Sequence, residues 1–400
     1  MIQYSWYSIA SLMQNEAKRK DDCMKRLGFI LTPKTVSKEI CALAIESAAL
    51  HKHKRKVVRE ILEDIDDYVD KLQDLVLHMK FKPSKYRVET INERGKIREI
   101  TKPKFWPDQC VHHLLVELAK TSFLSRIDPH ACGSVPGRGI GKEIKLIRRW
   151  TGEHMQSKLY CLKADIRHCY PSLKPDVLFA ELKNYFKDPF YLELWRRVIY
   201  SWDYLALGNY TSTYLLNLIF KPLDTMIREH SCTIHYTRYI DDIVVFSHNR
   251  RKLYALQRDI NIMLAERYNL KLKSNWVVFK LERRHKGGRP LDFIGYKFWR
   301  GGDVGLRKRN FKALRGCCIK FIKNNSVGTV FDARSLLSRL GMISHCNSKT
   351  FFKLYYSELN IWYIKQTIRI YERILEGTYR MVIKREQRTF NSIEEFAAAE

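Results

Sequence analysis

The chain has 400 residues, of which 45% are hydrophobic, 12% aromatic and 29% charged. This composition is ordinary for a globular protein and excludes an intrinsically disordered or collagen-like chain. The 72 Lys and Arg residues far outnumber the 43 Asp and Glu residues, so the formal net charge is +29. That excess is larger than solubility requires and predicts a polyanionic partner such as a nucleic acid.

Cysteine usage and hydropathy suggest where the protein works. The ten cysteines include no Cys-x-x-Cys pair and no His at zinc spacing, so we expect reduced thiols and a cytoplasmic location. The segment Cys110-x-His112-His113 lies in an apolar helical pattern, which favours packing or nucleic-acid contact over a metal site. With no signal peptide and no apolar stretch of bilayer length, we expect neither secretion nor membrane association.

Residues 1–85 have a basic, helical pattern that predicts an N-terminal extension. It ends in a helix whose apolar positions run from Val58 to Met79, which leaves Asp66 and Asp67 on solvated outer faces. The basic stretch His51–Lys56 is most simply a solvated helix start that faces RNA. The extension fits an arm for structured RNA or a partner protein as well as it fits an additional packing layer.

Residues 86–150 predict a strand pair around the turn Asn92–Gly95, followed by a helix through Lys120. In residues 151–300, strand and helix patterns alternate, which predicts a mixed α/β sheet backed by helices.

Residues 301–400 predict a helical bundle and a tail. From about Asn310, four apolar residues share one helix face and basic residues lie elsewhere; the four are Phe311, Leu314, Cys318 and Phe321. The aromatic-rich stretch Phe351–Tyr363 favours core packing, while stacking on single-stranded template stays open as an alternative.

Two adjacent carboxylates, Asp241 and Asp242, fall between the strand-like stretches Ile234–Tyr239 and Ile243–Phe246. We therefore expect both aspartates in the tight turn of a β-hairpin. Like charges at a turn repel each other, so the pair indicates a divalent cation. Carboxylate oxygens suit Mg²⁺, with Mn²⁺ as a substitute.

A third carboxylate, Asp165, ends the predicted strand Lys158–Ala164. Three carboxylates on a strand end and a neighbouring hairpin can hold two metal ions about 3.5–4 Å apart. Ile166, directly after Asp165, is a further candidate metal ligand through its backbone. Phosphoryl transfer requires little beyond such positioning and charge neutralisation.

Residues 85–330 resemble a prokaryotic reverse transcriptase. The resemblance rests on Asp165, on Tyr239-Ile240-Asp241-Asp242, and on further segments in the family's order. Those segments are Lys96–Ile100, Gly133–Gly139, Gly208–Thr213, Leu270–Phe279 and Asp292–Tyr296.

The resemblance implies a right-hand polymerase of the α/β (α+β) class. It places the fingers at 86–150, the palm with a mixed sheet and catalytic hairpin at 151–300, and the helical thumb and tail at 301–400. The helical N-terminal extension at 1–85 precedes them. The implied activity is RNA-directed DNA polymerisation with two Mg²⁺ ions.

The resemblance also assigns roles to single residues. Asp165, Asp241 and Asp242 match the catalytic aspartates, and Tyr170 matches the aromatic gate that excludes a 2′-hydroxyl. Lys273 is a candidate proton donor to pyrophosphate, with Lys271 as the neighbouring alternative. The other candidate nucleotide-binding residues are Lys96, Arg98, Lys102, Gly208 and Thr213.

Within the family, Ser274-Asn275-Trp276-x-x-Phe279 and Phe293–Tyr296 resemble diversity-generating retroelement enzymes and unclassified bacterial enzymes, some of which serve in antiphage defence. Diversity-generating enzymes usually carry Ser-Gln where this chain has Ser212-Thr213, which favours defence or a related retroelement. A mutagenic enzyme and a non-polymerising, maturase-like RNA-binding protein remain alternatives.

The resemblance implies several partners. They are a template RNA (a dedicated structured non-coding RNA among the options), nascent DNA, deoxynucleoside triphosphates, and an accessory protein or further copies of the chain.

Overall fold

In this computed structural model, the structure describes residues 26–93, 95–153 and 157–374. They belong to two compact units, one within 1–143 and 156–281 and one within 144–155 and 282–400. The predicted domain boundaries at 85, 150 and 300 stay predictions. The parts of the predicted N-terminal extension and tail at 1–25 and 375–400 lie outside the described residues.

Among the described residues, three helices precede the first strand: α1 (Lys38–Ala49), α2 (Lys56–Glu63) and α3 (Ile65–Leu77). The single helix predicted from Val58 to Met79 is wrong, because Asp64, with φ −123° and ψ 45°, separates α2 from α3. The Asp64 side chain makes no cap hydrogen bond to α3, so the break comes from tertiary packing that overrides the local helical pattern. Asp66 and Asp67 are exposed, as predicted.

The first strands, β1 (Arg87–Glu93) and β2 (Lys96–Lys102), form the predicted antiparallel pair, with Arg87 opposite Lys102. A π-helical turn (Phe105–Gln109) leads into α4 (Cys110–Leu118), α5 (Lys120–Arg126) and later α6 (Ile140–Glu153).

The helix α4 packs its histidines in the core. The His113 ring stacks on Tyr210 at 3.7 Å between centroids. Burial lowers the pKa of His112 to about 3. Packing of the Cys110-x-His112-His113 segment is confirmed.

The central sheet has the order β4–β5–β3–β6. Its strands are β3 (Tyr160–Asp165), β4 (His235–Tyr239), β5 (Asp242–Ser247) and β6 (Val277–Lys280). The prediction of a mixed sheet is wrong for this unit, because every adjacent pair is antiparallel. A hairpin joins β4 to β5, and β3 inserts between β5 and β6 in the opposite direction.

Helices of the same unit share one apolar core with this sheet. They are α7 (Cys169–Ser172), α8 (Pro175–Leu182), α9 (Pro189–Ile199), α10 (Tyr210–Ile219), α11 (Lys221–Glu229) and α12 (Arg250–Tyr268). The β5 residues Ile243 and Val245 and the β3 residue Leu162 are fully buried in that core. This burial makes the sheet a rigid support for the residues at its strand ends.

The second unit contains a short 3₁₀ turn (Arg284–Lys286) and a three-stranded antiparallel sheet. Its strands are β7 (Leu291–Phe293), β8 (Tyr296–Phe298) and β9 (Val304–Leu306). The helices that follow are α13 (Lys308–Lys323), α14 (Val330–Ile343) and α15 (Lys349–Phe351), then a π-helical turn (Phe352–Tyr356) and a helix at 361–374.

Two predictions about this unit need correction. Leu314, Cys318 and Phe321 are buried as expected, but Phe311 is 36% exposed. Core packing of the stretch 351–363 is largely wrong, because its aromatic residues beyond Phe351 are mostly exposed. The wide π-helical turn shifts their phase, so successive rings do not share the core-facing side. Among the described residues, no helix has the length and hydropathy to cross a bilayer.

Candidate active site

The hairpin between β4 and β5 brings three carboxylates together. Tyr239 lies opposite Asp242, and Asp242 also lies opposite Asp165 at the end of β3. The expectation that both aspartates occupy the turn is wrong, since Ile240 and Asp241 form the turn and Asp242 begins β5. The strand pairing with Asp165 explains this position, because it draws Asp242 into the ladder.

The turn residue Ile240 has a strained backbone. Its φ is 61°, in the left-handed region, which costs a residue with a Cβ roughly 1–2 kcal/mol. A β-branched side chain there is a genuine outlier, so surrounding contacts must impose the conformation. One such contact is the Arg238 Nη1 donor, 2.8 Å from the Ile240 carbonyl oxygen.

The carboxylates crowd one another electrostatically. Burial, and then the charge of Asp165, raise the pKa of Asp241. Burial, with the charges of Asp165 and Asp241, raises the pKa of Asp242 to about 7. Burial and like charges both disfavour ionisation, and the positive charges of Lys163, Lys273 and Arg98 offset them only in part.

A divalent cation fits this donor set. The Lys273 ammonium already forms an ion pair with Asp165, so this carboxylate accepts a cation. Within the described residues, no three His, Cys, Asp or Glu side chains are grouped so that together they could hold a metal ion. Magnesium is usually bound by one or two carboxylates and completes its shell with water and phosphate oxygens, so a partial protein shell suits it.

Backbone pairing sets the positions of Ile166 and Lys273. The Ile166 N–H donates to the Asp241 carbonyl at 3.0 Å, and the Lys273 N–H donates to the Asp165 carbonyl at 2.7 Å. The Arg167 N–H donates to Lys271, whose side chain is exposed. The ion pair therefore selects Lys273 over Lys271 as the lysine beside the carboxylates. In the backbone pairing between residues 165–167 and 271–273, the carbonyls of Asp165 and Lys271 accept hydrogen bonds. The Ile166 carbonyl takes no part in this pairing.

Two predicted nucleotide-binding residues lie near the carboxylates. Tyr170, on α7, is half-buried, and burial raises its pKa while the Arg98 charge opposes that rise. The Arg98 charge also opposes the raised pKa of Asp241. Arg98 on β2 is thus within electrostatic range of both groups.

Other predicted nucleotide-binding residues lie elsewhere or are engaged locally. The exposed Lys102 forms an ion pair with Glu89 across the β1–β2 hairpin. Thr213 is half-buried on α10, and its carbonyl accepts from Asn217 Nδ2 at 3.0 Å. Lys96 begins β2, but its side chain lies outside the described part of the chain.

Gly208 makes a close backbone approach to β2. Its φ is 125°, and an added Cβ would lie 2.2 Å from the Thr101 carbonyl oxygen. The Thr101 N–H donates to the Leu207 carbonyl at 2.8 Å. The loop before α10 therefore anchors the end of the strand that carries Arg98.

A buried ion pair joins Arg238 and Asp224, and it was not predicted from the sequence. Both residues are 0% exposed, and the guanidinium binds the carboxylate through two hydrogen bonds of 2.7 Å each. A signal was present in the sequence. Arg238 lies two residues after Tyr236 in a predicted strand, so both side chains point to the same face of the sheet. If that face is buried, the charge of Arg238 requires a buried partner.

Comparison with known proteins gives a family. The family model described as reverse transcriptase (RNA-dependent DNA polymerase) matches residues 83–298. That family activity makes its members nucleotidyltransferases.

Among solved structures, apo telomerase from Candida tropicalis, truncated from its C-terminal domain, is 12% identical with a TM-score of 0.42. The alignment covers 60% of each chain. Telomerase from Candida albicans with the TWJ fragment of telomeric RNA is 14% identical with a TM-score of 0.42, over 68% of this chain and 55% of that one.

The chain thus spans 55–60% of the length of these two structures. It matches no curated protein. Because the family model covers just over half of the sequence, this chain belongs to the reverse transcriptase family.

Proposed function

We propose that this protein is an RNA-directed DNA polymerase that extends a primer by two-metal phosphoryl transfer. The observation that carries the proposal is the strand register that sets Asp165 opposite Asp242, with Asp241 in the adjoining turn. Burial, and then their mutual repulsion, raise the pKa values of Asp241 and Asp242, so bound cations would stabilise the ionised site.

Asp165, Asp241 and Asp242, with the Ile166 carbonyl, would hold the two ions. Bound Mg²⁺ would activate the primer 3′-hydroxyl and neutralise the triphosphate. Arg98 attracts the triphosphate towards the carboxylates, and the Tyr170 ring excludes a 2′-hydroxyl on the incoming sugar. Lys273, paired with Asp165, donates a proton to the departing pyrophosphate.

We further propose that the template is RNA, supplied in a cytoplasmic setting as a dedicated structured transcript. The net charge of +29 supports a nucleic-acid partner bound largely through its phosphates. The residue Thr213, where mutagenic relatives usually carry Gln, supports a role in bacterial antiphage defence or a related retroelement.

The proposal is tested by primer extension with the purified chain. The template is RNA, DNA or absent, and the substrates are deoxynucleotides or ribonucleotides with Mg²⁺. We expect extension that requires a template, proceeds on RNA and prefers deoxynucleotides. Tight, salt-sensitive RNA binding without extension on any template would contradict the polymerase proposal and favour a maturase-like binding protein.

A further inference from the structure

The turn that carries Asp241 is held from two sides. Arg238 donates to the Ile240 carbonyl, and Gly133 lies on the turn so closely that a Cβ there would be 2.6 Å from the Ile240 nitrogen. The segment before Gly133 pairs with β4, since the Cys132 N–H donates to the Arg238 carbonyl at 2.9 Å. These contacts oppose relaxation of Ile240 from its left-handed conformation.

The Arg238 guanidinium is itself fixed in place. Asp224 on α11 binds Nε and Nη2 at 2.7 Å each, and Asn217 Oδ1 on α10 accepts from Nη1 at 3.1 Å. The same Nη1 donates to the Ile240 carbonyl, so the direction of this hydrogen bond depends on how Asp224 and Asn217 orient the guanidinium. The Phe220 ring lies 5.2 Å from the guanidinium carbon.

Asn217 joins the two sides of the turn. Its amide nitrogen donates to the Gly133 carbonyl at 3.0 Å while its amide oxygen receives Arg238. One side chain on α10 thus fixes both the guanidinium and the glycine segment. This side chain therefore links α10 to the backbone of the turn that carries Asp241.

Stability alone does not account for this arrangement. Burying an ion pair carries a desolvation cost that apolar residues of similar volume would avoid. Arginine is the side chain that can bind a carboxylate with two donors and still direct a third towards a carbonyl. The chemistry fits a device that orients the turn.

We propose that Arg238, Asp224 and Asn217 are positioning residues that hold the strained turn in its metal-binding conformation. They touch neither substrate nor cation, and they act through the Ile240 carbonyl on the direction of the Asp241 carboxylate. The inference rests on the proposed function, since it assigns Asp241 to a cation site.

Direct metal binding tests the inference without requiring polymerisation. Mn²⁺ binding to the whole chain is measured by electron paramagnetic resonance for the wild type, Asn217→Ala and Arg238→Lys. Asn217→Ala leaves the Arg238–Asp224 ion pair intact, so we expect it to retain the fold, and thermal melting checks this. Arg238→Lys keeps the charge but cannot bind Asp224 through two donors and also reach Ile240.

The matched control is Tyr236→Phe. The Tyr236 hydroxyl donates to Asp224 at 2.5 Å, so this variant alters the same buried pair without removing a bond to the turn. A merely structural effect would appear in the control as well.

We expect Asn217→Ala and Arg238→Lys to weaken Mn²⁺ binding by about 10–100-fold, the usual effect of losing an outer-shell partner. In primer extension, the half-saturating Mg²⁺ concentration should rise while the KM for deoxynucleotide stays unchanged. Tyr236→Phe should bind Mn²⁺ as the wild type does.

The inference is overturned if both variants bind Mn²⁺ like the wild type, or if Tyr236→Phe weakens binding equally. If both variants bind Mn²⁺ more weakly but the wild type does not polymerise, the positioning role is upheld and only the proposed function is rejected.

Discussion

Replacing Gly208 with alanine tests the link between the β1–β2 hairpin and the loop before α10. The added Cβ would lie 2.2 Å from the Thr101 carbonyl oxygen and 2.9 Å from Ile100 Cγ2, whereas real Cβ contacts are essentially never below 3.0 Å. The backbone of β2 must therefore move, since a carbonyl cannot rotate away as a side-chain tip can. Alanine is also strained at a φ of 125°.

Two effects should follow from Gly208→Ala. Backbone strain of this kind costs about 1–3 kcal/mol, so the free energy of unfolding should fall by that amount. Since Arg98 lies three residues before Thr101 on β2, its guanidinium should also move relative to the carboxylates. A displacement near 1 Å in a catalytic site costs up to about 10²-fold, so kcat/KM for deoxynucleotide should fall by about 10–100-fold.

The assay combines thermal melting with steady-state primer extension, and Gly141→Ala is the matched control. Gly141 lies in α6, and an added Cβ there would meet no atom within 4 Å. Alanine at such a helical position should stabilise the protein by up to about 1 kcal/mol. A Gly208→Ala protein with wild-type melting and wild-type kcat/KM would show that β2 tolerates the added Cβ, contrary to this prediction.

Three further predictions concern single side chains. Arg98→Ala should raise the KM for deoxynucleotide whereas Lys102→Ala should not, because Glu89 already engages Lys102; the reverse result in primer extension would contradict this. Burial raises the pKa of Glu143 from 4.5 to about 7. Between these pH values the folded state holds a proton that the unfolded state has released, so the free energy of unfolding falls as the pH rises through this range. The melting temperature of Glu143→Gln should accordingly fall less than that of the wild type between pH 5 and 8, and parallel curves would count against the shift. If Tyr170 is the proposed steric gate, Tyr170→Ala should increase ribonucleotide relative to deoxynucleotide incorporation by at least about tenfold, because removing the ring makes room for the 2′-hydroxyl; unchanged selectivity would reject the gate.

Local patterns in the sequence carried the prediction of the carboxylate cluster. Apolar strands flank Asp241-Asp242, another strand precedes Asp165, and the turn between the first two is short, so a hairpin followed directly. The structure moves Asp242 into β5 but keeps the three groups adjacent. Lys271 and Lys273 are two residues apart on an extended segment and so share a face, which left the sequence unable to distinguish them. The observed ion pair between Lys273 and Asp165 distinguishes them.

Contacts between distant residues could not be predicted from one sequence. Thr101 and Leu207 are 106 positions apart, and nothing local indicates that Gly208 must lie against β2. The helix break at Asp64 and the antiparallel sheet also depend on tertiary packing, which overrides local pattern. Only the buried position of Arg238 had a local signal, and its partner Asp224 on α11 had none.

The proposed catalytic role of the three aspartates is tested by measuring Mg²⁺-dependent addition of deoxynucleotides to a DNA primer on an RNA template. Asp241→Asn/Asp242→Asn is compared with Asp66→Asn/Asp67→Asn, which removes the same charges from an exposed helix. We predict that the first variant loses activity by at least about 10²–10³-fold with RNA binding retained, and that the second extends primers like the wild type. Equal activity in both variants would contradict the assignment of these carboxylates as the polymerase centre.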